Sequence, residues 1–88
     1  MSLEEDFNSA TERATQLPKR PPNDILLQLY ALYKQANEGD VKGDRPGFAD
    51  FEGRVKYDSW NKLQGKSGED AKQEYILLVE KLEQEVAE

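Results

Sequence analysis

Residues 30–36 read Tyr-Ala-Leu-Tyr-Lys-Gln-Ala, and the rest of the chain can be interpreted outward from this stretch. It belongs to a predicted helix that begins at Asn23 or Asp24, where an Asx side chain suits the N-cap, and ends at about Glu38 before Gly39. Its core stripe is formed by Ile25, Leu29, Leu32 and Ala36. A neighbouring stripe is formed by Tyr30, Tyr33, Lys34 and Asn37. Residues three and four apart share one side of a helix, so the aromatic and cationic side chains are predicted to lie together.

The same periodicity predicts three further helices. The first runs from about Ser2 to Leu17, the third from about Gly53 to Leu63, and the fourth from a cap at Ser67 almost to the C-terminus. Ser2 and Glu5 match a capping box. The first helix has an apolar stripe of Leu3, Phe7, Ala10, Ala14 and Leu17. The fourth has one of Ala71, Tyr75, Leu78, Val79, Leu82 and Val86. No stretch has a convincing strand pattern, so the chain is predicted to be an all-α four-helix bundle in a single domain, residues 1–88.

Residues 39–52 form a predicted connection that is long for a compact domain. Its glycines and Pro46 break any helix, and we expect Phe48 and Phe51 to anchor it onto the helices. Such a length also indicates that the second and third helices are not antiparallel neighbours joined by a tight turn. The three aspartates at positions 40, 44 and 50 do not have the spacing of a calcium-binding EF-hand loop, and no metal site is predicted.

The composition excludes several classes of function. The formal net charge is −6, which disfavours nonspecific binding to nucleic acid and simple adsorption to anionic lipid. No apolar run is long enough for a membrane span. The chain contains neither Cys nor His, so it lacks a disulfide framework, the commonest general base and the best nucleophile. We therefore expect a cytoplasmic protein and predict no cofactor. Catalysis by a Ser, Asp, Glu, Lys or Tyr stays open at this point, although no constellation among these residues stands out.

Aromatic faces beside ammonium groups favour a phosphorylated nucleotide, because the rings can stack on a base while the cations contact phosphate. Tyr30, Tyr33 and Lys34 offer this combination on one helix, and Lys56 offers a further cation on the next. Taken alone, each has an ordinary structural explanation as a residue at the edge of the core. Trp60 is predicted to be a core anchor, since a single Trp in a small domain usually contributes much of the buried area.

In order and spacing, these motifs resemble the acyl-CoA-binding protein (diazepam-binding inhibitor) family. The resemblance runs from about Phe7 to about Leu82. The matching positions are Tyr30, Tyr33, Lys34, Gln35, Ala36, Gly39-Asp40, Pro46-Gly47, Gly53, Lys56, Trp60, Glu69-Asp70-Ala71 and Tyr75-Ile76. Thr15 stands where the family often has Lys, and Tyr57 where it usually has Trp.

The resemblance implies a skewed up-down-down-up bundle and a noncatalytic carrier of long-chain fatty acyl-CoA. It assigns Tyr30, Tyr33 and Lys34 to the nucleotide end of the ligand, with Lys34 and Tyr30 near the ribose 3′-phosphate. Lys56 is assigned to phosphate and Tyr75 to the ribose-phosphate region. Arg20, or Lys19 beside it, could supply the cation that Thr15 does not. The acyl chain requires an apolar groove between helices, and affinity should rise with chain length.

The expected partners follow from this assignment. They are the acyl-CoA ligand and, transiently, enzymes that use it; the protein is expected to be a monomer without nucleic-acid binding or stable membrane insertion. Two alternatives remain open at this point. One is a helical protein-interaction module that has kept the fold without the ligand. The other is an acyl-CoA thioesterase or transferase, which the lack of His and Cys disfavours.

Overall fold

The computed structural model describes residues 2–87, and the side chains of residues 2–85. Four helices, α1 (Leu3–Ala14), α2 (Asn23–Glu38), α3 (Phe51–Asn61) and α4 (Gly68–Ala87), make up its regular structure. Residues 2–87 contain no strand, which confirms the predicted all-α class. None of the helices within that range is both long and apolar enough to cross a membrane.

At three helix ends the predicted capping residues are in place. The Ser2 hydroxyl accepts from the Glu5 amide at 3.1 Å and the Ser2 amide donates to the Glu5 carboxylate, so the predicted capping box is present. At α4, the Ser67 hydroxyl accepts from the Asp70 amide at 3.1 Å. Gly39 ends α2 with φ of +80°, a left-handed conformation that favours glycine.

The predicted range of α2 is confirmed, but its predicted cap and some boundaries of α1 and α3 were wrong. Pro22, rather than Asn23 or Asp24, takes the N-cap of α2 and makes no side-chain cap, because its fixed φ suits entry to a helix and its carbonyl accepts from the Ile25 and Leu26 amides. α1 ends at Ala14 and not at Leu17. α3 begins at Phe51 and ends at Asn61, since the Asp50 carboxylate caps it by accepting from the Gly53 amide at 2.9 Å.

The core lies where the stripes of α1, α2 and α4 meet. Its buried members are Phe7, Ala10, Leu29, Leu32, Ala71, Tyr75, Val79 and Leu82. Partly buried apolar residues packed against them are Ala14, Leu17, Ile25, Ala36, Leu63, Ile76 and Leu78. The predicted stripes are therefore confirmed apart from Leu3, which is not among these residues, and the side chain of Val86 lies outside the described residues.

Contacts between the helices establish their directions. Glu4 pairs with Lys72 and Arg13 with Glu83, both at 2.6–2.7 Å, so α1 and α4 run parallel. The end of α2 meets the start of α4, because a Cβ on Gly68 would lie 3.3 Å from the Ala36 carbonyl oxygen. These two helices are therefore antiparallel.

α2 and α3 run parallel to each other. Tyr30 lies beside Lys56, and one turn further along both helices Lys34 lies beside Trp60. The Trp60 indole also donates to the carbonyl of Gly39, just past the end of α2, at 2.8 Å. The order is up-down-down-up, as the family resemblance implies. The 39–50 connection is long because it returns the chain from the end of α2 to the level of its start.

The anchoring of that connection differs from the prediction. Phe48 and Phe51 are 89% and 76% exposed, so they are not anchors. Polar bonds from α3 replace them. Arg54 donates to the Pro46 carbonyl at 2.8 Å, and the Tyr57 hydroxyl donates to the Gly43 carbonyl at 3.1 Å. Tyr57, which stands where the family usually has Trp, thus uses its hydroxyl group for a contact with the loop.

An ion pair completes the attachment of the loop. Arg45 donates from two nitrogens to the two carboxylate oxygens of Asp58, at 2.9 and 2.7 Å. This bidentate arrangement is the stronger geometry for such a pair. The Arg45 guanidinium lowers the pKa of Asp58 below its ordinary value, chiefly through these hydrogen bonds.

Candidate ligand-binding site

An apolar groove of about 530 Å³ lies between the first halves of α2 and α3. It is lined by Arg20, Asn23, Leu26, Leu27, Tyr30, Phe51, Glu52, Val55 and Lys56. The aliphatic side chains come from both helices because α2 and α3 run parallel and place their starts side by side. Arg20 and Lys56 add positive charge at the rim, so one site offers both apolar surface and cations.

Two ammonium groups lie against aromatic rings in the space between α2 and α3. The Lys56 Nζ atom is 5.6 Å from the ring centroid of Tyr30, and the Lys34 Nζ atom is 5.2 Å from that of Trp60. Both distances are in the range of cation–π contacts. The rings therefore restrict where each cation can point, and together the two pairs form a charged row along the parallel helices.

Each of these lysines also has an acidic neighbour one turn away. Lys34 donates to Glu38 at 2.5 Å, and Lys56 lies 3.8 Å from Glu52. The hydrogen bond to Glu38 is the main cause that raises the pKa of Lys34 above its ordinary value. A lysine is already charged near neutral pH, and this contact favours the same charged form, which a phosphate-binding group requires.

A buried amide fixes the ring beneath Lys34. Gln35 is 1% exposed, and its Oε1 atom accepts from the Trp60 indole at 3.1 Å. Its Nε2 atom donates to the Asp40 carboxylate and to the Lys66 carbonyl, each at 2.9 Å. Asp40 also accepts from the Gly65 amide at 2.8 Å, and this bond is the main cause that lowers its pKa. Gln35 therefore joins α2, α3 and both adjoining connections.

On the other side of α2, three aromatic rings form a cluster. Phe7 lies edge-on to Tyr75, with 5.2 Å between centroids, and stacks on Tyr33 at 6.0 Å. Phe7 and Tyr75 are buried, whereas Tyr33 is 45% exposed. Burial is the main cause that raises the pKa of the Tyr75 hydroxyl, with Tyr33 adding to it. This cluster provides an aromatic surface for stacking, next to the charged row that contains Lys34 and Lys56.

Comparison with known proteins identifies the family. The sequence profile described as Acyl CoA binding protein matches residues 4–79. The chain belongs to the acyl-CoA-binding protein family. It is 51% identical over 80 residues to an acyl-CoA-binding protein homolog of Drosophila melanogaster, covering 91% of this chain and 93% of that protein. It is 46% identical over 76 residues to an acyl-CoA-binding protein of Saccharomyces cerevisiae, covering 86% and 87%.

Solved structures extend the comparison to the fold. The crystal structure of Oryza sativa acyl-CoA-binding protein 2 superimposes with a TM-score of 0.94 at 41% identity, covering 98% of this chain and 96% of that one. The four-helix architecture described above is therefore the fold of the acyl-CoA-binding protein family. That family is one of binding proteins and carriers.

The residues that sequence reasoning selected fall into two groups around α2. Arg20, Tyr30 and Lys56 border the apolar groove, and Lys34 lies further along the same side, toward α3. Tyr33 and Tyr75 turn instead toward α1 and join Phe7. The first group lies on the side of α2 that faces α3, and the second lies on the side that faces α1 and α4. The candidate residues therefore do not form one continuous row.

Sequence reasoning missed part of the lining. Leu26, Leu27 and Val55 were given no role, and Phe51 was taken as a loop anchor although it borders the groove. Leu26 lies one turn before Tyr30, which is a periodicity signal that could have identified it. The described residues contain no group of three acidic side chains placed to hold a metal ion.

Proposed function

We propose that this chain binds long-chain fatty acyl-CoA esters and carries them between enzymes without catalysing a reaction. The single observation that carries the proposal is the groove between α2 and α3, in which apolar lining and the cations Arg20 and Lys56 adjoin. A free nucleotide needs the cations and the aromatic rings but not the aliphatic lining, and a free fatty acid needs mainly the apolar surface. An acyl-CoA ester needs both, and membership of the acyl-CoA-binding protein family supports this choice.

The two ends of the ligand would occupy different parts of the site. The acyl chain would lie against Leu26, Leu27 and Val55, where burial contributes on the order of 0.8 kcal/mol per methylene. Phosphates would contact Lys34, Lys56 and Arg20 through charge-assisted bonds. The adenine ring would stack on the exposed ring of Tyr33, with Tyr75 beside the ribose.

A carrier needs no catalytic group at the thioester. The chain has neither His nor Cys, so a thioesterase or transferase would have to use less common groups. We propose that residues 1–88 act as one acyl-CoA-binding domain, as a cytoplasmic monomer that contacts acyl-CoA-using enzymes transiently. Incubation with palmitoyl-CoA should release no free thiol, and its release would contradict a noncatalytic role.

Calorimetric titration with acyl-CoA esters of increasing length, free CoA and free fatty acid tests the proposed ligand. Esters of about 14–18 carbons should bind in the nanomolar range, which corresponds to roughly −11 to −13 kcal/mol. Free CoA and free palmitate should bind far more weakly, because each presents one end only. Equal binding of palmitate and palmitoyl-CoA would contradict the proposal, and negligible binding of every ester would favour the protein-interaction module.

A further inference from the structure

Glu38 is hydrogen-bonded to the Lys34 ammonium group, which the ligand's phosphate would contact. Its carboxylate accepts from Lys34 Nζ at 2.5 Å, within the same helix. A carboxylate and a phosphate both bind an ammonium group through its N–H donors. A phosphate arriving at Lys34 must therefore share that group with Glu38 or displace the carboxylate.

The stability of α2 does not explain a glutamate at this position. Glu38 is the last residue of α2, and the last turn of this helix contains no basic residue. The carboxylate thus lies at the negative end of the helix dipole, where an acidic side chain is unfavourable. The pair also has Lys before Glu along the helix, which is the weaker of the two orders.

Glu52 presents a contrasting case on α3. It lies in the first turn, where a carboxylate is favoured by the helix dipole, and it precedes Lys56 in the more favourable order. Its distance of 3.8 Å from Lys56 is too long for a hydrogen bond, and its side chain is 85% exposed. Glu52 therefore has a helix-stabilising explanation and a looser hold on its lysine.

The carboxylate of Glu38 is free to move when a ligand arrives. Its side chain is 48% exposed, so rotation into water uncovers no core surface. Exposed ion pairs are weak, and displacing one costs little. After displacement the carboxylate remains on the same helical turn as the phosphate and repels it, and it can return to Lys34 as the phosphate departs.

We propose that Glu38 is a competing carboxylate that lowers the affinity of this site for the phosphate end of acyl-CoA and speeds ligand release. Glu52 has the same effect in a weaker form. This inference rests on the proposed function, because it names a residue that sets the affinity of that site. Glu38 would act on the charged end of the ligand alone. We therefore expect its effect on affinity to be independent of the length of the acyl chain.

The test is the substitution Glu38→Gln, which keeps the shape of the side chain and removes its charge. In titrations with palmitoyl-CoA at low salt, the Kd should fall by about two- to fivefold, the scale of an exposed ion pair. The gain should appear mainly as slower dissociation. Glu52→Gln should give a smaller gain. Glu80→Gln removes one charge from an exposed position on α4 and should leave the Kd unchanged.

Two further measurements separate a local charge effect from a change in fold or net charge. The Glu38→Gln gain should be equal for dodecanoyl- and palmitoyl-CoA, and it should largely vanish at about 1 M salt, where the Debye length is about 3 Å. An unchanged or higher Kd, or a gain that Glu80→Gln reproduces, would overturn the inference alone. A wild-type chain that binds no acyl-CoA would overturn the proposed function and this inference with it.

Discussion

Lys34 is the residue at which the proposed binding is most directly testable, because its charge can be removed without opening the core. Lys34→Met keeps an unbranched side chain over Trp60 and should weaken palmitoyl-CoA binding by about 2–4 kcal/mol, since a partly desolvated phosphate would lose its charged partner. Lys62 is exposed and borders a separate groove with Leu63 and Glu74. Lys62→Met should change affinity by less than about 0.5 kcal/mol, and equal effects at both lysines would contradict the site.

Gln35 is the polar residue on which packing depends most. Gln35→Met removes an acceptor from the Trp60 indole and donors from Asp40 and the Lys66 carbonyl. Because these groups would lose buried partners, the free energy of unfolding should fall by about 1–3 kcal/mol in urea denaturation. Gln73→Met, at an exposed position on α4, should change it by less than about 0.5 kcal/mol. A Gln35 variant as stable as the wild type would show that water replaces the amide.

The role of Gln35 could not be predicted from the sequence, although its motif was prominent. A polar residue on a helix is ordinarily exposed, and burial here depends on partners from α3 and from both neighbouring connections. Trp60 was correctly predicted as a core anchor because its size makes burial the default. The bonds of its indole could not be foreseen, since they require the end of α2 to lie beside α3.

At the scale of elements, periodicity predicted which segments are helices but not how their connections are held. The four helices were confirmed because their apolar stripes and caps are local signals. The 39–50 connection was predicted to be held by Phe48 and Phe51, which are exposed. Its actual attachments join residues that are 8 to 14 positions apart, and no short-range pattern encodes them.

The Arg45–Asp58 pair should hold this connection more than it holds the bundle. Asp58→Asn removes the charge that Arg45 contacts at two oxygens. Amide hydrogen exchange in residues 41–47 should become faster, while exchange in α2 and α4 should be unchanged, because both side chains of the pair are largely exposed and the pair joins the connection to α3. Faster exchange throughout the helices would contradict a local role.

Lowering the pH should speed amide exchange in the 39–50 connection, as the Asp58→Asn substitution is expected to do. The pKa of Asp58 is lowered in the folded chain, so its stabilising effect is fully present above the ordinary pKa of an aspartate and is lost as the pH falls through the lowered value. Exchange in residues 41–47, corrected for its intrinsic pH dependence, should therefore increase below about pH 4. In Asp58→Asn this additional increase should be absent, and an identical pH response in both proteins would contradict the assignment.

At the scale of the whole molecule, the up-down-down-up order was expected only through the family resemblance. Apolar stripes show which face of each helix is buried but not which helix covers it. The parallel pair α2 and α3 results from a connection long enough to return along the bundle. That pairing creates the apolar groove, so the site depends on topology more than on any single motif.

The net charge of −6 should oppose the approach of an anionic ligand. Long-range repulsion is screened at lower salt than the proposed short contacts of the phosphates with Lys34 and Lys56 would be. The association rate of palmitoyl-CoA, measured by stopped flow, should therefore rise between about 0.01 and 0.15 M salt. A rate that falls over this range would mean that the local cations, and not the net charge, control the encounter.

Trp60 gives the molecule an intrinsic optical reporter. It is the single tryptophan of the chain, and its ring lies under the Lys34 ammonium group. Its N–H donates to the Gln35 side-chain oxygen and to the Gly39 carbonyl. Indole emission responds to nearby charge and to water. Drawing Lys34 toward a phosphate should change the fluorescence of the folded protein, whereas unfolding should shift the emission to longer wavelengths. Ligand occupancy and folding can therefore be followed separately by the fluorescence of Trp60, without an added label.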